Sequence, residues 1–404
     1  MSTSQSKTFL KVSLLAVIFV SQLNTTASVI MADLVKLFPD ASPTAIQMVM
    51  QFGMVGSFPV TLCIGFFSQR FRIKPMILIG LCTLLIGGMM PLAFHSNLIQ
   101  LYISAVLIGA GQGFMSPLVS TLTLRNFEDK SRARQVGLNS TFGTGGATIF
   151  TLLAGVLALS KWSNIYYLYF IVIPALICAI VFMPLGDRPD FSDIPKEKKA
   201  KVPVPPRVFV QAGIMVIIYI GYVTFPINVG MLVAAAGFGD AASTGLSMSI
   251  ITVVGALFGI VFPYVVKTFK TYIGAFACFC GAAGLAITAM ASNMLMVYVA
   301  AVMCGCFFGS NVSGAIYIIG RMCKREQFGP SLSIILGCLT LGVVLSPIVI
   351  NIITPMWGGI GSVGAFTTSS VILGVVFFVQ LLWGTYVSKK YPEEKKETQA
   401  AAVA

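Results

Sequence analysis

Charge is the scarcest commodity in this chain. Only 10% of its 404 residues are Asp, Glu, Lys or Arg, against roughly 25% in a soluble domain. The acids number 13 and there is one histidine, His95. A chain so poor in titratable groups holds no His, Asp or Glu cluster within its apolar runs for acid–base work, which argues against an enzyme. Nine cysteines are present, yet all but Cys323 fall inside apolar runs. The close pairs Cys278/Cys280 and Cys304/Cys306 match no common ligand spacing, so neither disulfide nor zinc is indicated and no metal or cofactor is expected. They are read as small buried hydrophobes.

What is present in quantity is apolar: 57% of the residues. Twelve apolar runs, uncharged apart from Lys11 near the start of the first, are each about 20 residues or longer, the length that crosses a hydrocarbon core about 30 Å thick. Their expected bounds are 9–32, 44–67, 75–95, 98–122, 136–159, 164–185, 208–235, 243–266, 272–292, 295–319, 330–354 and 363–387. The runs are too long and too evenly apolar for barrel strands, so the expected fold class is an all-α membrane protein with twelve transmembrane helices. The first run is too long for a signal-peptide core and is read as a retained span.

The net charge of +13 poses a choice between nucleic acid and membrane orientation. Placed on alternating sides of twelve spans, 24 of the 26 cations lie on one side and only Lys36 and Lys161 on the other. That asymmetry is the positive-inside pattern. It predicts a multi-pass plasma-membrane protein with both termini cytoplasmic, the bilayer as partner and no nucleic acid.

The long internal hydrophilic stretch, Gly186 to Arg207, is rich in Pro and charge and reads as a linker. Six spans flank it on either side. The segments "YISAVLIGAGQG" from Tyr102 and "YVAAVMCGCFFG" from Tyr298 share Tyr, Ala, Val and two Gly at an offset of 196, and each precedes an arginine, Arg125 or Arg321. "FSQRFR" from Phe67 pairs with "VVKTFK" from Val265 at an offset of 198. The expected organisation is a duplication: a six-helix bundle over 1–185, a cytoplasmic linker over 186–207, a second six-helix bundle over 208–388 and a cytoplasmic tail over 389–404.

Twelve spans in a 6+6 division, a charged central linker and a basic turn after the second span resemble the major facilitator superfamily of transporters. The stretch "GFFSQRFRIKP" is similar to that family's signature between the second and third helices: Gly65, Arg70, Phe71, Lys74 and Pro75 match. Gln69 stands in place of the usual aspartate, and Arg72 and Ile73 replace the Gly and Arg that follow. The resemblance implies a gating role at the inner mouth for Gly65, Arg70, Arg72 and Lys74, joined by Arg125 and Arg321; setting topology alone is the alternative. Ala105 occupies the position of an arginine frequent in drug exporters, and Thr148 that of an exporter proline. Both departures weigh against export.

In the resembling fold the central cavity is lined by the first, fourth, seventh and tenth helices, with the second, fifth, eighth and eleventh beside them. Gln112, Ser116, Ser120 and Thr123 form one helical stripe, and Ser140, Thr144, Thr148 and Thr151 another. Candidate substrate-binding residues are Gln22, Thr26, Gln51, Gln112, Ser116, Tyr219, Tyr222 and Asn311. For Ser and Thr the favoured reading is back-bonding to their own helix; for Gln22, Gln112 and Asn311 it is the cavity. Tyr219 and Tyr222 either close over a solute or pack in the core. The pairs Gly109/Gly113 and Gly305/Gly309 are read as close helix contacts, and Pro59, Pro117, Pro226, Pro263 and Pro347 as interruptions of their helices.

No acid falls inside an expected span, and buried carboxylates are the usual proton relays. Asp33, just beyond the first span, is the coupling candidate, with a solvated helix end as the alternative. The sequence thus predicts a functional monomer that moves a small-molecule substrate, neutral, zwitterionic or amphipathic, by alternating access without a carboxylate relay. The competing readings are a multidrug efflux antiporter and a sensor or scaffold that binds a solute without moving it.

Overall fold

In the computed structural model, residues 3–127, 129–183, 204–323 and 325–391 are described. The expected linker lies outside them except for Val204–Arg207, as does the tail beyond Tyr391. Every regular element among the described residues is helical. The bilayer offers no hydrogen bonds to a backbone, so each segment must satisfy its own.

The first span is not one uniform helix. α1 (Thr3–Val20) passes into a 3-10 segment, Ser21–Ile30, and then into α2 (Met31–Leu37). The hydroxyls of Ser21, Thr25, Thr26 and Ser28 donate to the carbonyls of Ile18, Gln22, Leu23 and Thr25 at 2.7–2.9 Å. All four reach back three residues, the register of the tighter helix. A polar run mid-span thereby covers its own carbonyls. The apolar stretch extends over Thr8–Leu37, past the expected end at residue 32, so Asp33 belongs to its last turns.

α3 (Pro43–Arg70), α4 (Ile73–Ala93), α5 (Leu98–Asn126) and α6 (Asp129–Ala158) follow, then a 3-10 stretch, Trp162–Ile171, leading into α7 (Val172–Phe182). α8 (Pro206–Tyr222) and α9 (Thr224–Ala236) meet at Val223. Pro226 has no N–H for the Tyr222 carbonyl, which explains the break. Pro59, Pro117, Pro263 and Pro347 instead sit inside continuous helices, so only Pro226 lies beside an interruption.

α10 (Ala241–Phe269) and α11 (Ile273–Ala289) are joined by a single 3-10 turn, Lys270–Tyr272, with Lys270 at φ 50°. α12 (Met294–Met322), α13 (Arg325–Met356) and α14 (Gly361–Lys390) complete the described chain. By length and apolarity the described residues contain eleven candidate spans rather than the expected twelve, because Ala241–Ala289 forms one apolar stretch of 49 residues.

The chain separates into two compact units, one drawn from Met1–Lys196 and Pro226–Ser249, the other from Glu197–Phe225 and Ile250–Ala404. The units are therefore discontinuous in sequence: most of α9 and the first turns of α10 pack with the earlier spans. The core of the first unit includes Leu14, Leu23, Ile30, Leu81, Phe150 and Tyr169. In the second, Phe307, Phe225 and Phe366 are fully buried, and Phe225 meets Phe366 edge-on at 6.1 Å.

The internal repeat appears as matched contacts. A Cβ at Gly113 on α5 would stand 2.7 Å from the Ser57 carbonyl oxygen, and one at Gly309 on α12 would stand 2.5 Å from that of Gly255. Gly109 meets Gly53 and Gly305 meets Ile251 in the same way. The partners are themselves 198 residues apart. Asn97 and Asn293 cap α5 and α12, accepting from Gln100 N–H at 3.1 Å and Met296 N–H at 3.0 Å. An asparagine oxygen in that position satisfies one orphan donor of the first turn.

Candidate functional site

In the first unit the 3-10 segment presents amides to two flanking helices. The Gln22 amide donates to Ser21 Oγ at 3.1 Å and lies 3.8 Å from where a Cβ on Gly143 of α6 would stand. Asn24 Oδ1 lies 2.9 Å from the corresponding point on Gly53 of α3. Thr26 is 1% exposed, with its hydroxyl on Leu23 O at 2.8 Å, so back-bonding accounts for it. Gln51 on α3 is buried and its Nε2 has no acceptor; on α5 the Oε1 of half-buried Gln112 has no donor. Ser116 is exposed.

The two hydroxyl stripes divide. Ser120 donates to Ser116 O at 3.0 Å and Thr148 to Thr144 O at 3.0 Å, both along their own helices. Thr123 donates to Val119 O at 2.8 Å in the same way and also ends a chain between helices: Gln135 Nε2 donates to Asn139 Oδ1 at 3.0 Å, and Asn139 Nδ2 to Thr123 Oγ1 at 3.1 Å. This chain fastens α6 to α5.

In the second unit Tyr219 and Tyr222 are both buried and meet edge-on at 6.0 Å, while Tyr222 stacks on Phe307 at 4.2 Å. Asn311 on α12 is 2% exposed, and its Oδ1 has no partner. Gln211 on α8 shares that condition, with a buried Oε1 left unpaired. Sequence reasoning missed Gln211, though a glutamine in an apolar run was the available signal.

Asn24 was missed as well, a short amide in a run of small polar residues. A third missed feature is the pair Gln47–Asn228. Gln47 Nε2 donates to Asn228 Oδ1 at 2.8 Å, both residues being buried. Around it the small residues of 226–249 pack closely on the earlier spans: Ser249 Oγ donates to Thr148 O at 3.1 Å, and a Cβ on Gly245 would stand 2.6 Å from Thr151 O.

Of the expected inner-mouth residues, the surroundings of Gly65 and the side chains of Arg70 and Arg125 lie outside those described. Arg72 is exposed just ahead of α4. Lys74 donates to the carbonyls of Ile180 and Met183 at 2.6 and 2.7 Å, closing the C-terminal end of α7, where a cation complements the helix dipole. Arg321 donates to the Tyr391 carbonyl at 2.5 Å and to Tyr317 Oη at 3.3 Å. Asp33 pairs loosely with Lys36 at 3.9 Å. Asp240, outside the spans, caps α10: the Ser243 N–H and hydroxyl donate to it at 2.8 and 2.7 Å, which holds its carboxyl below the usual carboxylate value. Among the described residues no three His, Cys, Asp or Glu side chains are grouped to hold a metal.

The model for the Major Facilitator Superfamily matches residues 14–316. No curated protein matches the sequence. Among solved structures, the nucleoside transporter NupG is 14% identical, with 95% of this chain and 99% of that one covered and a TM-score of 0.71. A D-xylose-proton symporter is 16% identical, with 95% and 98% covered and a TM-score of 0.69. A bacterial homolog of the human lysosomal transporter Spinster, inward-facing and unoccupied, is 12% identical, with 96% and 98% covered and a TM-score of 0.69. At these identities the likeness shows the fold. With a family match over most of its length and long apolar helices throughout, the chain belongs to the Major Facilitator Superfamily and is a multi-pass membrane transporter rather than an enzyme.

Proposed function

We propose that this transporter moves a small organic solute, neutral, zwitterionic or amphipathic, across the plasma membrane by alternating access. The supporting observation is a set of buried amide atoms without partners: Gln51 Nε2, Gln112 Oε1 and Asn311 Oδ1. Leaving such a group unpaired costs about 1–3 kcal/mol. A solute that pairs with it recovers that cost, and a polar, uncharged solute matches it best. Gln22 and Ser116 supply further polar contacts, with Tyr219 and Tyr222 as aromatic surface. Thr26 contributes mainly by shaping the 3-10 segment.

Two of the similar solved structures are named for uncharged, hydrogen-bonding solutes, a nucleoside and D-xylose, which supports the same class. The second unit has one acid between Val204 and Tyr391, Glu326, whose side chain lies outside those described, and Asp33 stands near the end of the first span, so recognition is read as resting on dipoles and shape.

Twelve spans remain the reading for topology. A straight helix of 49 residues would run about 74 Å, more than twice the hydrocarbon thickness of about 30 Å. Lys267 and Lys270 mark the turn where the chain re-enters. With both termini cytoplasmic, that turn lies on the inner side together with Gly65, Arg70, Arg72, Lys74, Arg125 and Arg321. Arg70, Arg72 and Arg125 are the inner-gate candidates. For Lys74 and Arg321 the contacts to helix ends favour a fastening role.

The test is flux into liposomes holding purified protein, with Gln112→Ala and Asn311→Ala at matched abundance. Losing one hydrogen bond to the solute lowers transport about tenfold. Full transport by both variants would remove the amides from the site. Uphill uptake driven by a pH gradient alone, and abolished in Asp33→Asn, would overturn the uncoupled reading and give Asp33 the coupling role.

A further inference from the structure

The ends of α8, α12 and α14 bring together a basic and aromatic cluster. The Arg207 guanidinium lies over the Tyr391 ring at 4.8 Å, and Arg321 donates to the Tyr391 carbonyl at 2.5 Å. Lys390 Nζ donates to Tyr386 Oη at 2.9 Å, and Tyr386 stacks on Trp383 at 5.3 Å. Three buried polar atoms in this cluster have no partner: Arg207 Nε, Trp383 Nε1 and Tyr391 Oη. Arg207 Nε and Trp383 Nε1 are obligate donors, and a phenol can donate too. No described side chain of this unit is a carboxylate that could receive them.

An apolar groove runs along α8 and α14, two of these three helices. Ile214 and Ile217 of α8 face Val371, Val375 and Val379 of α14, with Trp357 at the far end and a volume of about 430 Å³. The two threonine hydroxyls in its lining already donate to helix carbonyls, Thr367 to Val363 and Thr368 to Gly364, at 2.9 Å each. A space this apolar does not hold water, which needs two to four polar partners. Val371, Val375 and Val379 stay 40–59% exposed. Arg207 lies seven residues before Ile214 on α8, about 10 Å along the axis, and Lys390 lies eleven beyond Val379 on α14, about 17 Å. Cation, aromatic belt and apolar trough therefore succeed one another along one pair of helices.

We infer that this face holds an anionic phospholipid of the leaflet on the Arg207 side, with its phosphate on Arg207 and Lys390 and an acyl chain in the α8–α14 groove. Basic pockets between helices at the inner surface suit such headgroups. The belt of Trp383 and Tyr386 marks the depth at which headgroup gives way to hydrocarbon. The site is independent of which solute is carried.

Native mass spectrometry and thermal melting of the full chain in detergent, with added dioleoylphosphatidylglycerol, dioleoylphosphatidylcholine or inorganic phosphate, test the inference. The phosphatidylglycerol should be retained in preference to the phosphatidylcholine and should raise the melting temperature more. Arg207→Gln should weaken that retention about fivefold. Val375→Trp, which fills the trough without touching charge, should weaken it as well, and inorganic phosphate should not substitute. Equal retention of both lipids, or unchanged retention in both variants, would overturn the inference. So would full stabilisation by inorganic phosphate, which would make this a free-anion site. Retention that appears only after residues 392–404 are removed would assign the cluster to the acidic run Glu393, Glu394 and Glu397, and overturn it too.

Discussion

Gln47 on α3 and Asn228 on α9 are 181 positions apart in sequence and share a buried hydrogen bond of 2.8 Å. Asn228 belongs to the short stretch, Pro226–Ser249, that packs with the earlier spans. Replacing Gln47 by Leu leaves the Asn228 oxygen without this donor, at a cost of about 1–3 kcal/mol. The expected result is a lower melting temperature and faster labelling of Ser243→Cys by an impermeant thiol reagent in a cysteine-depleted background. Unchanged labelling and melting would show that the pair does not hold the stretch in place.

Helix contacts through glycine are expected to behave alike in the two repeats. Gly109 against Gly53, and Gly305 against Ile251 and Val254, leave no room for a side chain. Gly109→Leu and Gly305→Leu should each lower the yield of folded protein severely, as overpacking of a close contact does. Gly137 on α6 has nothing within 4 Å of its would-be Cβ, so Gly137→Ala should be neutral or raise stability by up to about 1 kcal/mol. Size-exclusion profiles of the three proteins make the comparison.

Lys74 separates fastening from gating. Its two carbonyl contacts at the end of α7 are partly solvated, so their loss in Lys74→Met should cost only about 1 kcal/mol. The expected pattern is a lower melting temperature with flux per folded molecule unchanged. A variant with normal melting and altered flux would return Lys74 to the gate.

Asp240 gives a pH dependence of defined sign. Its carboxyl is held below the usual value by the Ser243 bonds, so the folded state favours the ionised form. That stabilisation is complete above the ordinary aspartate value of about 3.9 and is lost as pH falls through the lower folded-state value. Asp240→Asn keeps a capping oxygen, which preserves most of the cap, and should flatten this part of the acid limb. Melting curves of both proteins between neutral and acid pH read it directly.

Some of this molecule was legible in the residue order. The asparagines that open α5 and α12, the tyrosines that follow and the paired glycines lie at one offset, and the contacts they make repeat at nearly the same offset. Local rules sufficed there, because a cap is satisfied within one turn and a missing Cβ has one spatial consequence. The amides were harder. Gln47, Gln51 and Gln112 look alike in sequence, yet the first is paired, while the others each keep a polar atom without a partner. Only the neighbours decide.

The chain's own order of residues determined that it crosses a bilayer repeatedly and in helices, since a backbone in hydrocarbon must close its hydrogen bonds within the segment. It also determined the asparagine caps and glycine contacts that recur at an offset of 196–198 residues. Packing alone decided that Lys74 clasps the end of α7 and that Pro226–Ser249 joins the earlier spans. Those outcomes depend on which carbonyl or amide stands within about 3 Å, and residues more than a hundred positions away supply it.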